Sequence, residues 1–136
     1  MSLAHKGILF FDELTEFPRE VLEVLRQPLE DRLISISRVS GTIQYPASFM
    51  FVASMNPCKC RYFKDPITHC RCSLLEVKRY QSKVSGPLLD RIDMLLEIPR
   101  EPVDRLLDYS AGESSEVLRD KVVNARAIQQ KRFAGT

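Results

Sequence analysis

Two groups of residues in this chain have the types and spacing to do chemistry. The first is Asp12-Glu13, which directly follows the apolar run Ile8-Leu9-Phe10-Phe11. Such a run reads as a strand buried on both faces, as in a parallel sheet covered by helices, so charge appears only where the strand leaves the core. One carboxylate at that edge can help hold Mg²⁺ against phosphates, and the next can orient an attacking water. An ordinary strand followed by an acidic helix start has the same letters, and the hexapeptide alone leaves both readings open.

The second group is Cys58, Cys60, Cys70 and Cys72, arranged as C-x-C, nine residues, C-x-C. In a reducing compartment a cluster this tight more often binds metal than forms disulfides. Four thiolates complete a tetrahedral Zn²⁺ site, closed and therefore structural. The usual knuckle is C-x-x-C, and His69 could replace one thiolate. Free or disulfide-linked cysteines and an iron–sulfur centre are the alternatives. The pattern lacks a nucleophile paired with an oriented base, and His5, with no Ser or Cys partner at a recognisable spacing, is given no catalytic role.

Several elements must position these groups. Thr15 is placed to cap a helix with Glu16 and Pro18 in its first turn and Phe17, Val21, Val24 and Leu25 at helical spacing, ending near Pro28. Over residues 33–45 the period becomes two (Ile34, Ile36, Ile43, Tyr45) around a Ser40-Gly41 turn, which predicts a β-hairpin. Residues 49–53 form a second buried strand with Asn56 just beyond its C-terminal end. Ser73 and Glu76 make a capping box that opens a helix carrying Leu74, Val77 and Tyr80 on one side. Ser85-Gly86-Pro87 breaks it, residues 88–93 give a short helix, and residues 94–98 a third strand closed by Pro99. Residues 100–115 read as a linker, and a last amphipathic helix runs from about 115 to about 133.

With 136 residues, 44% hydrophobic and 28% charged, the chain suits one core and not two comfortable domains. No apolar run approaches the roughly 20 residues a membrane span needs, and the start lacks signal-peptide character, so a cytoplasmic protein without membrane partners is expected. Met1-Ser2-Leu3 reads as an expression leader. A formal net charge of +2 does not by itself argue for nucleic acid. The stretch 114–136 is locally basic, with five basic residues against two acidic ones, a pattern best explained by a solvated helix face.

Strand-Asp-Glu, helix, hairpin, strand-Asn, helix and Leu88-Leu89-Asp90-Arg91-Ile92-Asp93 follow one another in the order of an AAA+ ATPase core. The chain resembles the magnesium-chelatase-like branch of that superfamily. More narrowly, Gly7-Ile8-Leu9-Phe10-Phe11-Asp12-Glu13-Leu14, Leu25-Arg26-Gln27-Pro28-Leu29-Glu30, Asn56-Pro57-Cys58 and Ser85-Gly86-Pro87-Leu88-Leu89-Asp90-Arg91-Ile92-Asp93 resemble the bacterial YifB/ComM family. Ala125-Arg126 and Gln129 in the tail fit it too.

The resemblance implies an α/β fold: a partial P-loop NTPase (AAA+) core with three strands, flanking helices and an inserted β-hairpin. It implies ATP and Mg²⁺ as cofactors, with Asp12 and Glu13 as the Walker B pair, Asp12 toward Mg²⁺ and Glu13 polarising water. Asn56 matches sensor 1 beside the γ-phosphate. Arg91 matches the arginine finger that reaches a neighbouring subunit's site, which implies a self-assembled ring, a hexamer. The hairpin matches one that points toward the central pore in related motors. The implied parent is a motor acting on DNA, as in branch migration. The motor subunit of true magnesium chelatase and a zinc-stabilised, non-catalytic binding module are the other readings.

No Gly-x-x-x-x-Gly-Lys-[Ser/Thr] occurs in the chain, so the phosphate cradle is absent from it. The resemblance would place that loop upstream of His5 and most of the lid beyond Thr136. Residues 4–99 are then expected to be the C-terminal half of an ATPase core and residues 100–136 a linker with the start of the lid, inactive toward ATP alone. The family's sheet order would leave the 94–98 strand without its native neighbour, so rearranged pairing, a dimer or strand exchange is expected.

Overall fold

A computed structural model describes residues 1–39, 41–101 and 112–134. The chain divides into two units, Met1–Arg100 and Glu101–Thr136. In the first, β1 (Ile8–Phe11) is followed by a 3₁₀ turn at Leu14–Glu16, the short helices α1 (Arg19–Val24) and α2 (Arg26–Asp31), and the strands β2 (Leu33–Arg38) and β3 (Gly41–Pro46). Strand β4 (Met50–Ala53), helix α3 (Leu74–Gln81) and helix α4 (Gly86–Leu89) complete it. The second unit contains helix α5 (Ser115–Phe133), at the position its periodicity predicts, with no buried residue. The linker expected over 100–115 lies largely outside the described residues.

Strands β1 and β4 pair in parallel, with Ile8 opposite Met50 and Phe11 opposite Ala53. Two parallel neighbours need a long crossover, and α1, α2 and the hairpin supply it. The hairpin is antiparallel, with Leu33 opposite Pro46 and Arg38 opposite Gly41. The architecture is therefore α/β, a parallel pair with helices and an inserted hairpin, as the sequence predicts. The core is small: Leu14, Leu22, Leu25, Val84 and Leu88 are buried, and Leu9, Phe11, Phe17, Leu29, Phe51 and Leu89 pack against them. Phe11 stacks on Phe17 at 4.5 Å between ring centroids. Met1 also packs on this core, although it reads as part of a leader.

Four expectations are corrected. The strands are not buried on both faces: Leu9, Phe11 and Phe51 turn to the core, while Ile8, Phe10 and Met50 are more than half exposed. Alternation of Cβ directions puts every second residue on each face, and the helical core covers one of them. Residues 94–98 form no strand and no rearranged pair; Met94, Leu95, Leu96 and Ile98 are exposed. An apolar run becomes a strand only beside a partner edge, and among the described residues none lies alongside it. Thr15 does not cap α1, which starts after Pro18 without a side-chain cap. Instead Thr15 is fully buried and its hydroxyl donates to the Tyr80 hydroxyl at 2.5 Å. Finally, Pro28 lies inside α2 and does not end the helical region. Near a helix start proline lacks only an N–H that would be unpaired anyway, and the stop is Arg32, left-handed at φ 56°.

The carboxylate edge and the cysteine loop

Both β1 and β4 end on the same side because they are parallel, so Asp12-Glu13 and residues 54–56 emerge together. Ser54 N–H donates to Phe11 O at 2.9 Å, and Leu14 N–H to Ser54 O at 2.8 Å, extending the strand pairing past the last ladder residues. Glu13 takes the left-handed backbone at φ 49°, uncommon for a residue with a Cβ and a mark of a functional or over-determined position. Its N–H points back to Asp12 Oδ1 and Ser54 Oγ, each at 3.1 Å. The Ser54 hydroxyl donates to Asp12 Oδ1 in turn. The Glu13 N–H and the Ser54 hydroxyl both reach Asp12 through Oδ1, so these contacts orient the carboxylate through one oxygen.

The Glu13 side chain is held from the following loop. Asn56 Nδ2 donates to Glu13 Oε1 at 3.4 Å and Arg61 Nη2 donates to the same oxygen at 2.9 Å. The structure therefore brings Asp12, Glu13 and Asn56 together and adds two residues that sequence reasoning missed. Ser54 carries a signal in hindsight, since it is the residue beside Asp12 in the parallel register. Arg61 carries none, because its approach depends on loop geometry. Arg91 is held elsewhere: its Nε donates to Glu30 Oε2 at 3.0 Å, its Nη2 bonds the same oxygen, and its Nη1 donates to Pro87 O at 2.6 Å. The intrachain partner is thus Glu30, supplied by α2.

The cysteines converge as the spacing suggests. Cys58 Sγ is 3.4 Å from Cys60 Sγ and 3.8 Å from Cys70 Sγ, Cys60 and Cys70 are 3.5 Å apart, and all four sulfurs lie within 4.8 Å of one another. Zn–S bonds of about 2.3 Å in a tetrahedron require sulfurs about 3.8 Å apart. The set could therefore hold one such ion, and thiols this close converge on a single metal rather than enclose several irons and sulfides. His69 is not part of the group. All four cysteines are free, and Cys58 is fully buried.

Backbone hydrogen bonds from Tyr62 and Arg71 stabilise the Cys60 thiolate and bring its pKa down to about 6. For Cys70 a backbone hydrogen bond with Cys72 acts in the same direction, but burial and the neighbouring Cys60 and Cys58 sulfurs outweigh it and push the thiol up to about 12. One thiol is thus poised as thiolate while another holds its proton, so a metal taken up by this set would have to release protons. Lys59, Arg61, Lys64 and Arg71 fall within the same loop, which is therefore locally basic.

Turns hold the loop. Asp65 Oδ1 accepts from Ile67 N–H at 2.8 Å and Thr68 N–H at 2.6 Å, which keeps its carboxyl below the ordinary carboxylate range, with Arg100 nearby adding to the effect. The loop leaves through the capping box, Ser73 Oγ accepting from Glu76 N–H and Glu76 accepting from Ser73 N–H. Gln81 Nε2 reaches back to Pro57 O at 3.0 Å. His5 serves the scaffold: its Nδ1 accepts from Ser48 N–H at 3.2 Å. Among the described residues no helix is long and apolar enough to cross a membrane.

Comparison with known proteins finds relatives along nearly the whole chain. The chain is 46% identical over 133 residues to the competence protein ComM of Haemophilus influenzae and 44% identical over 133 residues to the uncharacterized protein YifB of Escherichia coli. An uncharacterized protein of Mycobacterium tuberculosis is 42% identical over 135 residues. These alignments cover 97% or 98% of the chain but 26% of each relative. The family described as magnesium chelatase, subunit ChlI, matches residues 1–106, and the chain belongs to that family.

Proposed function

We propose that this chain is the water-activating and phosphate-sensing part of a magnesium-chelatase-like AAA+ ATPase core, and that the parent couples ATP hydrolysis to remodelling of DNA, such as branch migration. The observation that carries the reading is the convergence of Asp12, Glu13 and Asn56 at the C-terminal ends of two neighbouring parallel strands. In open α/β sheets that edge is where ligands bind. Asp12, already oriented through Oδ1, would hold Mg²⁺, which when bound neutralises charge on the phosphates. Glu13 would orient the attacking water, and Asn56 would keep that carboxylate and the γ-phosphate in register.

Arg91 would act across a subunit boundary, exchanging Glu30 for the neighbour's phosphates in a hexameric ring. On this reading the hairpin faces the pore and the four cysteines hold a structural Zn²⁺. Residues 4–99 contribute the C-terminal half of the core and residues 100–136 the linker and first lid helix, so the chain is inactive toward ATP alone. The link to DNA rests on the resemblance to the YifB/ComM family, to which the similarity to a competence protein adds weight. The family description favours a second reading, the motor subunit of magnesium chelatase, while the cysteine set supports the first. A zinc-stabilised, non-catalytic module is the third.

Turnover by the longer protein tests the reading. Glu13→Gln should lower the rate of ATP hydrolysis by about 10² to 10⁴, the usual contribution of a positioned acid–base group, with ATP still bound. Unchanged turnover, or a parent sequence without a phosphate-binding loop, would sink the motor reading and leave the module. Stimulation of turnover by DNA separates the first reading from chelation.

A further inference from the structure

Glu13 sits between two supports of different origin. Its backbone belongs to the strand edge, through Ser54 and Asp12. Its carboxylate belongs to the cysteine loop, through the 2.9 Å bond from Arg61. Arg61 directly follows Cys60 and takes the left-handed backbone at φ 73°, and its own N–H donates to Cys58 O at 2.9 Å. A residue with a Cβ holds that conformation only where its surroundings over-determine it. Here the surroundings are Cys58 and Cys60, whose sulfurs lie 3.4 Å apart on either side of the turn.

We propose that Arg61 is a positioning residue for Glu13, and that metal bound by the four cysteines fixes the turn that presents it, so that the metal site and the carboxylate are energetically linked. The proposal rests on the reading of Glu13 as the water-orienting group and of the four thiols as a metal site. Arg61 and Glu13 side chains are 65% and 44% exposed, so their pair is screened by solvent and cannot order a free loop. Once metal has pinned the turn, the same pair biases the Glu13 carboxylate toward the Asn56 side. Linkage is reciprocal: whatever metal gives to the pair, the pair returns to metal affinity.

Cobalt(II) titration of this chain, followed by thiolate-to-cobalt absorption, tests the link. Glu13→Gln and Arg61→Ala should each weaken cobalt binding about 1.5- to 5-fold, the size an exposed ion pair supports. The double variant should be no weaker than the worse single one, and Arg61→Lys should recover most of the loss. Unchanged affinity in Glu13→Gln, or losses that simply multiply in the double variant, would overturn the proposal. Absence of thiolate-to-cobalt absorption in the unaltered chain would remove both the metal site and the link, while the motor reading would still stand or fall on ATP turnover.

Discussion

The strand edge and the cysteine loop meet at one carboxylate, yet different forces hold them. On the strand side, parallel pairing and a packed cluster around Leu22, Leu25 and Leu88 fix the backbone. On the loop side, residues 54–72 contain no helix or strand, and thiols, the Asp65 turn and a capping box do the work. Hydrophobic burial scales with area and tolerates small displacements, whereas a four-ligand site demands a geometry and loses nearly everything when one ligand goes. Asp12 is thus held by contacts at the strand ends alone, whereas Glu13 is held there and, through its carboxylate, by Asn56 and Arg61.

Metal removal should separate the two regions most sharply. With apparent binding energies of about 10–16 kcal/mol for structural zinc at neutral pH, chelation or Cys58→Ser should abolish amide protection over 58–72 while β1 and β4 keep theirs. Simultaneous loss in hydrogen exchange would show that the loop is no separate unit. Truncation of the core should act the other way. Leu25→Ala empties a fully buried site and should cost about 2–5 kcal/mol in denaturant unfolding, with cobalt stoichiometry retained in the folded fraction; a cost below 1 kcal/mol, on the order of a surface change, would mean the core is not packed as described.

A smaller effect is expected where the loop joins α3. Ser73→Ala removes the cap that accepts Glu76 N–H and should destabilise by about 1 kcal/mol, read as fraying of the first turn of α3 by amide exchange; an unchanged first turn would show that Cys72 alone anchors the exit. Acid should have the smallest and most local consequence. The folded Asp65 carboxyl is lowered from its ordinary 3.8 by the Thr68 and Ile67 N–H groups, so its contribution is present above that value and is lost as pH falls through the lowered one. Ile67 and Thr68 amide resonances should shift together below about pH 4 while those of β1 stay fixed; coincident movement of both would merge the two regions again.

Much of the site was legible because its signals are local. Charge directly after Ile8-Leu9-Phe10-Phe11, Asn56 after a second apolar run, the alternation of the hairpin and the Ser73–Glu76 box are each written within a few residues, and each has its element in the structure. The cysteines were legible for the same reason: their spacing brings the sulfurs together through one loop. What stayed hidden involves partners far apart in the chain. Thr15 looked like a cap and is a buried donor to Tyr80, 65 residues away. Residues 94–98 looked like a strand and pair with no other strand among the described residues. Arg91 lies between Asp90 and Asp93 in the sequence, yet its ion-pair partner is Glu30 of α2.

Residue order by itself determined the chemistry on offer: two carboxylates after an apolar strand, an amide after another, four thiols in one loop, and a family match built from those phrases. Tertiary structure alone decided which oxygen each group engages, that among the described residues one face of the strand pair is exposed, and that Arg61 reaches Glu13. The physical reason is range. Capping, alternation and ligand spacing act between residues a few positions apart, but a hydrogen bond between a strand end and a loop 48 residues later exists only after the parallel pair, the left-handed turns and the thiols have placed both ends.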